Sequence, residues 1–173
     1  MPLSRHARFA AAILPHLDRA HNLARWLLAN RQDAEDAVQD SYLRALTYFD
    51  SFHGRDGRAW LLAIVRNTCF ERLRKNRRHL ELPVEHIELA RDTSPDPEAL
   101  QLQLADQAAV RRGLESLPAE FREVLVLREM EGLSYQQIAR VTEAPLGTVM
   151  SRLARARRRF EEALAAARKE ETA

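Results

Sequence analysis

The stretch Ser134–Phe160, SYQQIARVTEAPLGTVMSRLARARRRF, decides the fold class of this chain. Pro145, which cannot continue a helix, divides it into two short helical segments joined by a tight turn. In the second segment Val149, Leu153, Ala156 and Phe160 recur at i, i+4, i+7 and i+11 and share one stripe. Arg152, Arg155 and Arg159 take the opposite stripe, and Gly147–Phe160 holds five arginines and no acid. A helix that packs by one face and offers cations by the other suits the major groove of duplex DNA, which is wide enough to admit it. The segment reads as a DNA-binding helix-turn-helix. Ser134 and Gln137 have the spacing of a capping box at the start of its first helix. Gly132 suits the left-handed end of a preceding helix running from Pro118 to about Met130. The competing reading is a basic amphipathic helix in a bundle or on a membrane surface. A membrane helix would want large apolar residues in its second stripe, where this one has only Ala and Met.

The rest of the composition agrees with a helical protein. The chain has 173 residues, room for one ordinary domain or two small ones. Its hydrophobic content of 46% is that of a globular chain, so general disorder is excluded. Glycine is scarce, Ala, Leu, Arg and Glu dominate, and no alternating β-branched run appears, which argues for an all-α fold. Cys69 is the single cysteine, so no disulfide within the chain and no thiolate cluster is expected. No segment approaches the roughly 20 apolar residues that span a bilayer. The apolar run near the N-terminus is short and broken by Pro15, unlike a signal peptide, so a cytoplasmic location without membrane insertion is expected.

Net charge is only +2, but the charges are segregated. Arg66–His79 carries six lysines and arginines against Glu71 alone, and Leu80–Asp106 carries seven acids against Arg91 alone. Arg140–Lys169 then has eight lysines and arginines against three acids. Two basic blocks flanking an acidic connector imply two nucleic-acid contacts on one chain. The prolines between Leu82 and Pro97, with TSPDPE, mark the best boundary. We therefore expect two helical domains, residues 1–79 and 96–173, with a linker over 80–95. Asp96-Pro97 fits the N-cap and first position of the next helix. The last six residues or so are expected to fray.

Within the first domain, helices are expected over Arg5–Leu28 with a break at Pro15. Another begins at an N-cap Asp33, with Val38, Tyr42, Ala45 and Phe49 as its apolar stripe. After a loop over Asp50–Gly57, a long helix runs from about Arg58 to Arg78. Leu61, Leu62, Val65, Cys69 and Leu73 form its buried face, and Cys69 reads as a small core residue. Trp60, Asn67, Phe70, Arg74 and Arg78 fall on the opposite face. Cations there would neutralise phosphates, rings would stack on unpaired bases, and the amide would bond a base edge. Burial of Trp60 and Phe70 against a neighbouring helix fits the same spacing.

Three blocks in order carry a family resemblance: DAEDAVQDSYLRAL (Asp33–Leu46), RAWLLAIVRNTCFERLRKNRR (Arg58–Arg78) and Leu117–Phe160. The chain resembles bacterial RNA polymerase sigma factors of the extracytoplasmic-function (ECF) group, which keep two domains. The resemblance implies partners: core RNA polymerase, promoter DNA and a sequestering anti-sigma factor. It implies that Asp36, Gln39, Asp40 and Leu43, on one stripe, dock on the polymerase clamp. It gives the loop Phe52–Gly57 and Trp60 and Asn67 to opening the −10 element around a flipped base, with Phe70 on the same face. Arg74, Lys75, Arg77 and Arg78 would hold the backbone. It gives −35 reading to Gly147, Thr148, Met150, Ser151, Arg152 and Arg155, with Arg159 on the same stripe. The acidic linker would thread toward the active-site channel. No catalytic residue, cofactor or metal is implied.

Some positions depart from the family pattern. Met150 stands where a basic residue is common, Ala154 where a larger side chain is, Glu143 where glycine is, and Ala63 where an arginine is. Two other function classes fit the sequence less well. A conventional helix-turn-helix repressor or activator would bind an operator as a two-fold dimer and leave the −10-like block unexplained. An enzyme lacks support: the six histidines form no HxxxH pair, and there is no Walker A loop or GxSxG.

Overall fold

The computed structural model describes residues 1–79 and 99–173, which form helices and no strands. Helix α1 (Arg5–Ile13) is started by Ser4, whose hydroxyl accepts from the Ala7 amide. A 3₁₀ turn at Leu14–His16, with Pro15 in it, separates α1 from α2 (Leu17–Leu27). Helix α3 (Arg31–Tyr48) begins two residues before the expected Asp33. Its cap is Asn30, which accepts from the Asp33 amide, so Asp33 sits inside the first turn, where the helix dipole favours a carboxylate. Helix α4 (Gly57–His79) is capped by Asp56, which accepts from the Ala59 amide at 3.0 Å. Gly57 thus belongs to the helix, not to the loop. A side chain there would meet the Ala12 carbonyl oxygen at 2.2 Å, so glycine lets α1 approach α4.

The second half holds α5 (Ala99–Glu115), α6 (Ala119–Leu125), α7 (Tyr135–Thr142) and α8 (Leu146–Thr172). The expected single helix to Met130 is α-helical only as far as Leu125. Val126–Met130 is a π-helical turn, in which the Glu131 amide reaches back to the Val126 carbonyl. Gly132 follows at φ +65°. Helix α8 does not fray after Ala167 but continues to Thr172. The expected linker over 80–95, its acids and the Asp96-Pro97 cap lie outside the described residues.

The apolar faces come together in one contiguous core that crosses both halves. Ile13, Leu23, Leu27, Leu61, Leu62 and Val65 join Val124, Leu127, Leu133, Ile138, Val149 and Leu153 in it. Helix α4 packs against α2 and α3 on one side and against α7 on another, while α2 also meets α6. The two halves are therefore packed together.

Candidate nucleic-acid interface

The helix-turn-helix has the geometry expected of its sequence. Ser134 accepts from the Gln137 amide at 3.1 Å while the Gln137 side chain takes the Ser134 amide at 2.8 Å, closing the capping box. The turn after α7 passes through Glu143 in the left-handed region, φ 52°, where glycine would be unstrained. Pro145 caps α8, and nothing lies within 4 Å of where a Gly147 Cβ would stand, so no neighbouring group crowds that position. Val149, Leu153 and Ala156 are buried and Phe160 partly so. Met150, at 51% exposure, Ser151, Arg155 and Arg159 face outward, and Thr148 and Arg152 are half-buried. The outward stripe is therefore continuous, although the Arg159 guanidinium lies over the Phe121 ring at 4.8 Å.

The face of α4 differs from the expectation of an exposed one. Trp60, Asn67 and Phe70 are half-buried. Trp60 joins Phe49 and Phe52 in an aromatic cluster, its ring 5.1 Å from that of Phe52. Phe70 lies beneath the Arg66 guanidinium at 4.1 Å, and Asn67 accepts from the same arginine at 3.3 Å. The reason is tertiary: helical spacing defines a face but not what covers it, and here two aromatics from the preceding turn and an arginine of α4 itself lie on it. Beyond Phe70 the helix emerges, and Arg74, Lys75 and Arg77 are exposed, with Arg78 next in the chain. The half-burial of Leu73 marks the same emergence from the core.

On α3, Gln39 and Leu43 are exposed, Leu43 to 54%, and Asp36 is half-buried and accepts from Gln32. Asp40 is held by Arg72 at 2.6 Å, and the neighbouring Arg44 pairs with Glu71 at 2.8 Å. These four expected docking residues do share one stripe. Two cross-strapped ion pairs fix it to α4 rather than leaving it free.

The residues that sequence reading missed are those joining the halves. Glu123, from α6, is fully buried, and both its oxygens take the Arg66 guanidinium, at 2.9 and 3.2 Å. Burial pushes its carboxyl above the ordinary range, while Arg66 and, further off, Arg152 pull it back. Glu131 accepts from Asn22 at 2.7 Å and from Arg19 at 3.2 Å through its side chain, and its carbonyl takes Arg19 and Arg58, each at 3.2 Å. Arg122 donates to the Trp26 carbonyl at 2.8 Å. Asp56, in the loop before α4, accepts from Gln137 at 2.8 Å. One signal was present: an acid at position 123 inside an apolar run, FREVLVL, calls for a buried partner.

Comparison with known proteins places this geometry. Sigma-70 region 2 matches residues 12–79 and sigma-70 region 4 matches residues 107–160. The ECF RNA polymerase sigma-E factor of Salmonella typhimurium is 38% identical over an alignment of 134 positions that covers 72% of this chain and 70% of that protein. The ECF sigma factor SigE of Mycolicibacterium smegmatis is 33% identical over 151 residues; the match takes in 87% of this chain but spans 59% of that protein. Among solved structures, the sigma factor RpoE of Bartonella quintana in complex with the anti-sigma factor NepR superposes with a TM-score of 0.72 at 30% identity. That superposition covers 91% of this chain and 97% of the other. With regions 2 and 4 in order on one helical chain, and relatives that match across both, this chain belongs to the ECF group of RNA polymerase sigma factors.

Proposed function

We propose that the chain is a dissociable specificity subunit: it joins core RNA polymerase, selects promoters and starts transcription while contributing no chemistry of its own. The observation that carries this is the pairing of two basic helices, α4 and α8, one in the region 2 match and one in the region 4 match. In this reading residues 1–79 dock on core and open the −10 element, 80–95 link, and 96–173 read the −35 element. Gln39 and Leu43 are the accessible centre of the docking stripe, flanked by Asp36 and Asp40. Trp60, Asn67 and Phe70 serve the −10 element, with Arg74, Lys75, Arg77 and Arg78 on its backbone. Gly147, Thr148, Met150, Ser151, Arg152, Arg155 and Arg159 serve the −35 element, with Met150 offering an apolar contact such as a thymine methyl. Two modest DNA contacts on one chain gain from effective concentration. An anti-sigma factor is the proposed regulator, since the Bartonella relative is seen with one.

Run-off transcription with purified core, on the DNA upstream of the chain's own gene, tests the proposal. A defined transcript is expected with core plus this chain and none with core alone. Leu43→Glu and Arg155→Ala, both at exposed positions, should each abolish it without unfolding the protein. Tight DNA binding without co-elution with core would overturn the proposal in favour of a repressor that acts alone.

A further inference from the structure

We infer that Leu146 works with Met150 as a thymine-selecting pair at the −35 element, the two side chains reading the C5 methyl groups that thymine presents in the major groove. The inference rests on the reading of α8 as the helix that enters that groove.

Residues four apart advance only about 40° around an α-helix, so they form a strip along it. On α8 one such strip is Leu146, Met150 and Ala154, and a second beside it is Ser151, Arg155 and Arg159. All of these are exposed, and Gly147, which lies between the strips at the first turn, puts no side chain there. The outward face is therefore split lengthwise, apolar on one side and cationic on the other. Single exposed leucines are common and call for no explanation. Here two large apolar side chains, Leu146 at 42% exposure and Met150 at 51%, stand one turn apart beside arginines. The core is served by a different stripe, Val149, Leu153 and Ala156, so packing requires neither of them.

The two strips suit different base features. An arginine fork takes the O6 and N7 acceptors of guanine, a role open to Arg155. An apolar strip has no hydrogen bond to give, and a polar base edge pressed against it loses water without replacement. The thymine methyl is the apolar group on a base edge in this groove, and cytosine in its place would turn an amino group toward the strip. Leucine offers a branched surface, and methionine a flexible, polarisable one that adapts to a methyl offset along the groove. Ala154, a single methyl, leaves space beyond them. The surrounding charge identifies the occupant as DNA: Gly147–Phe160 holds five arginines and no acid, which matches the phosphates on either side of the groove.

The test uses the full chain with core polymerase and a duplex library randomised over the −35 region, selected for binding. The selected duplex is then prepared in two forms, one with thymine and one with deoxyuridine, which lacks only the methyl. Wild type is expected to select thymine within the element. It should bind the deoxyuridine form about fourfold more weakly for each contacted methyl, the factor for one buried CH₂-sized group. Leu146→Ala and Met150→Ala should each bring this ratio toward one, whereas a merely structural role would weaken both forms alike and leave the ratio as it is. Arg159→Ala, on the cationic strip, serves as the control that weakens both forms together. A wild-type ratio of one would overturn the inference, as would the full wild-type ratio in both variants. Variants that keep the ratio but no longer co-elute with core would assign the apolar strip to the polymerase and overturn it too. Failure of the wild type to select any sequence is a different result: it would sink the promoter reading itself and take this inference with it.

Discussion

The side chain of Gln137 closes the capping box on Ser134 with its oxygen and donates to Asp56 with its nitrogen, at 2.8 Å in each case. One amide therefore starts the first helix of the helix-turn-helix and grips the loop that caps α4.

These two duties separate by substitution. Gln137→Glu retains an acceptor for the Ser134 amide but sets a carboxylate against Asp56. Gln137→Ala loses both contacts, at a cost of about 1 kcal/mol for the cap. Hydrogen exchange reads the outcome. In Gln137→Glu the Ser134 amide should stay protected while that of Ala59 exchanges faster; in Gln137→Ala both should exchange faster. Equal loss of protection at Ser134 in the two variants would mean that the box depends on the Asp56 contact.

Asp56 also gives a pH dependence with a definite sign. Burial alone would raise its pKa, but the Ala59 amide and Gln137, with Arg58 and Arg140 behind them, outweigh burial and hold it below the ordinary carboxylate value. A lowered carboxylate stabilises the fold above its unfolded pKa, and that contribution is lost as pH falls through the folded pKa. Asn is as good a helix cap as Asp, so Asp56→Asn keeps the cap and removes the charge. Its Tm should be lower than wild type at neutral pH, and the deficit should close as the pH falls through the lowered folded-state pKa of Asp56. A deficit that persists in acid would assign the loss to geometry instead.

Gly57→Ala is expected to destabilise although Ala is the better helix former. The new methyl would stand 2.2 Å from the Ala12 carbonyl oxygen and 3.2 Å from its carbon, both backbone atoms that no rotamer change can move. A cost of about 1–3 kcal/mol follows from forced separation of α1 and α4, measured by urea unfolding. An unchanged or raised midpoint would show that α1 shifts freely.

Cys69 reports the core. Burial pushes its thiol up to about 12, with Glu123 adding to the rise and Arg72 opposing it. The thiolate is the reactive form, so iodoacetamide at about pH 8 should leave the native protein unlabelled and modify it at the rate of unfolding. Rapid labelling of the native protein would place Cys69 nearer the surface than the packing of α4 allows.

Helix faces were legible in the sequence wherever one stripe meets one core. Val149, Leu153 and Ala156 are buried as their spacing requires, the Ser134–Gln137 box forms, and Glu143 takes the left-handed turn. Asn30 displaced Asp33 as the cap of α3 because both residue types can cap and only the path out of Leu28 selects between them. The packing of α4 was hidden for a different reason. Arg66 and Glu123 are 57 residues apart, and a single sequence has no periodicity that links them. Trp60 and Phe70 fall on the expected face, but helical spacing does not show what lies over them, which is local: Phe49 and Phe52 ahead of α4, and Arg66 of α4 itself.

The π-helical turn at Val126–Met130 accommodates one residue more than an α-helix would over the same rise. Wound as regular α-helix with no residue removed, the same segment would turn Glu131 by about 100° around the axis, away from Arg19 and Asn22. The contact between the halves is therefore aimed by the winding of this segment as well as by side-chain identity.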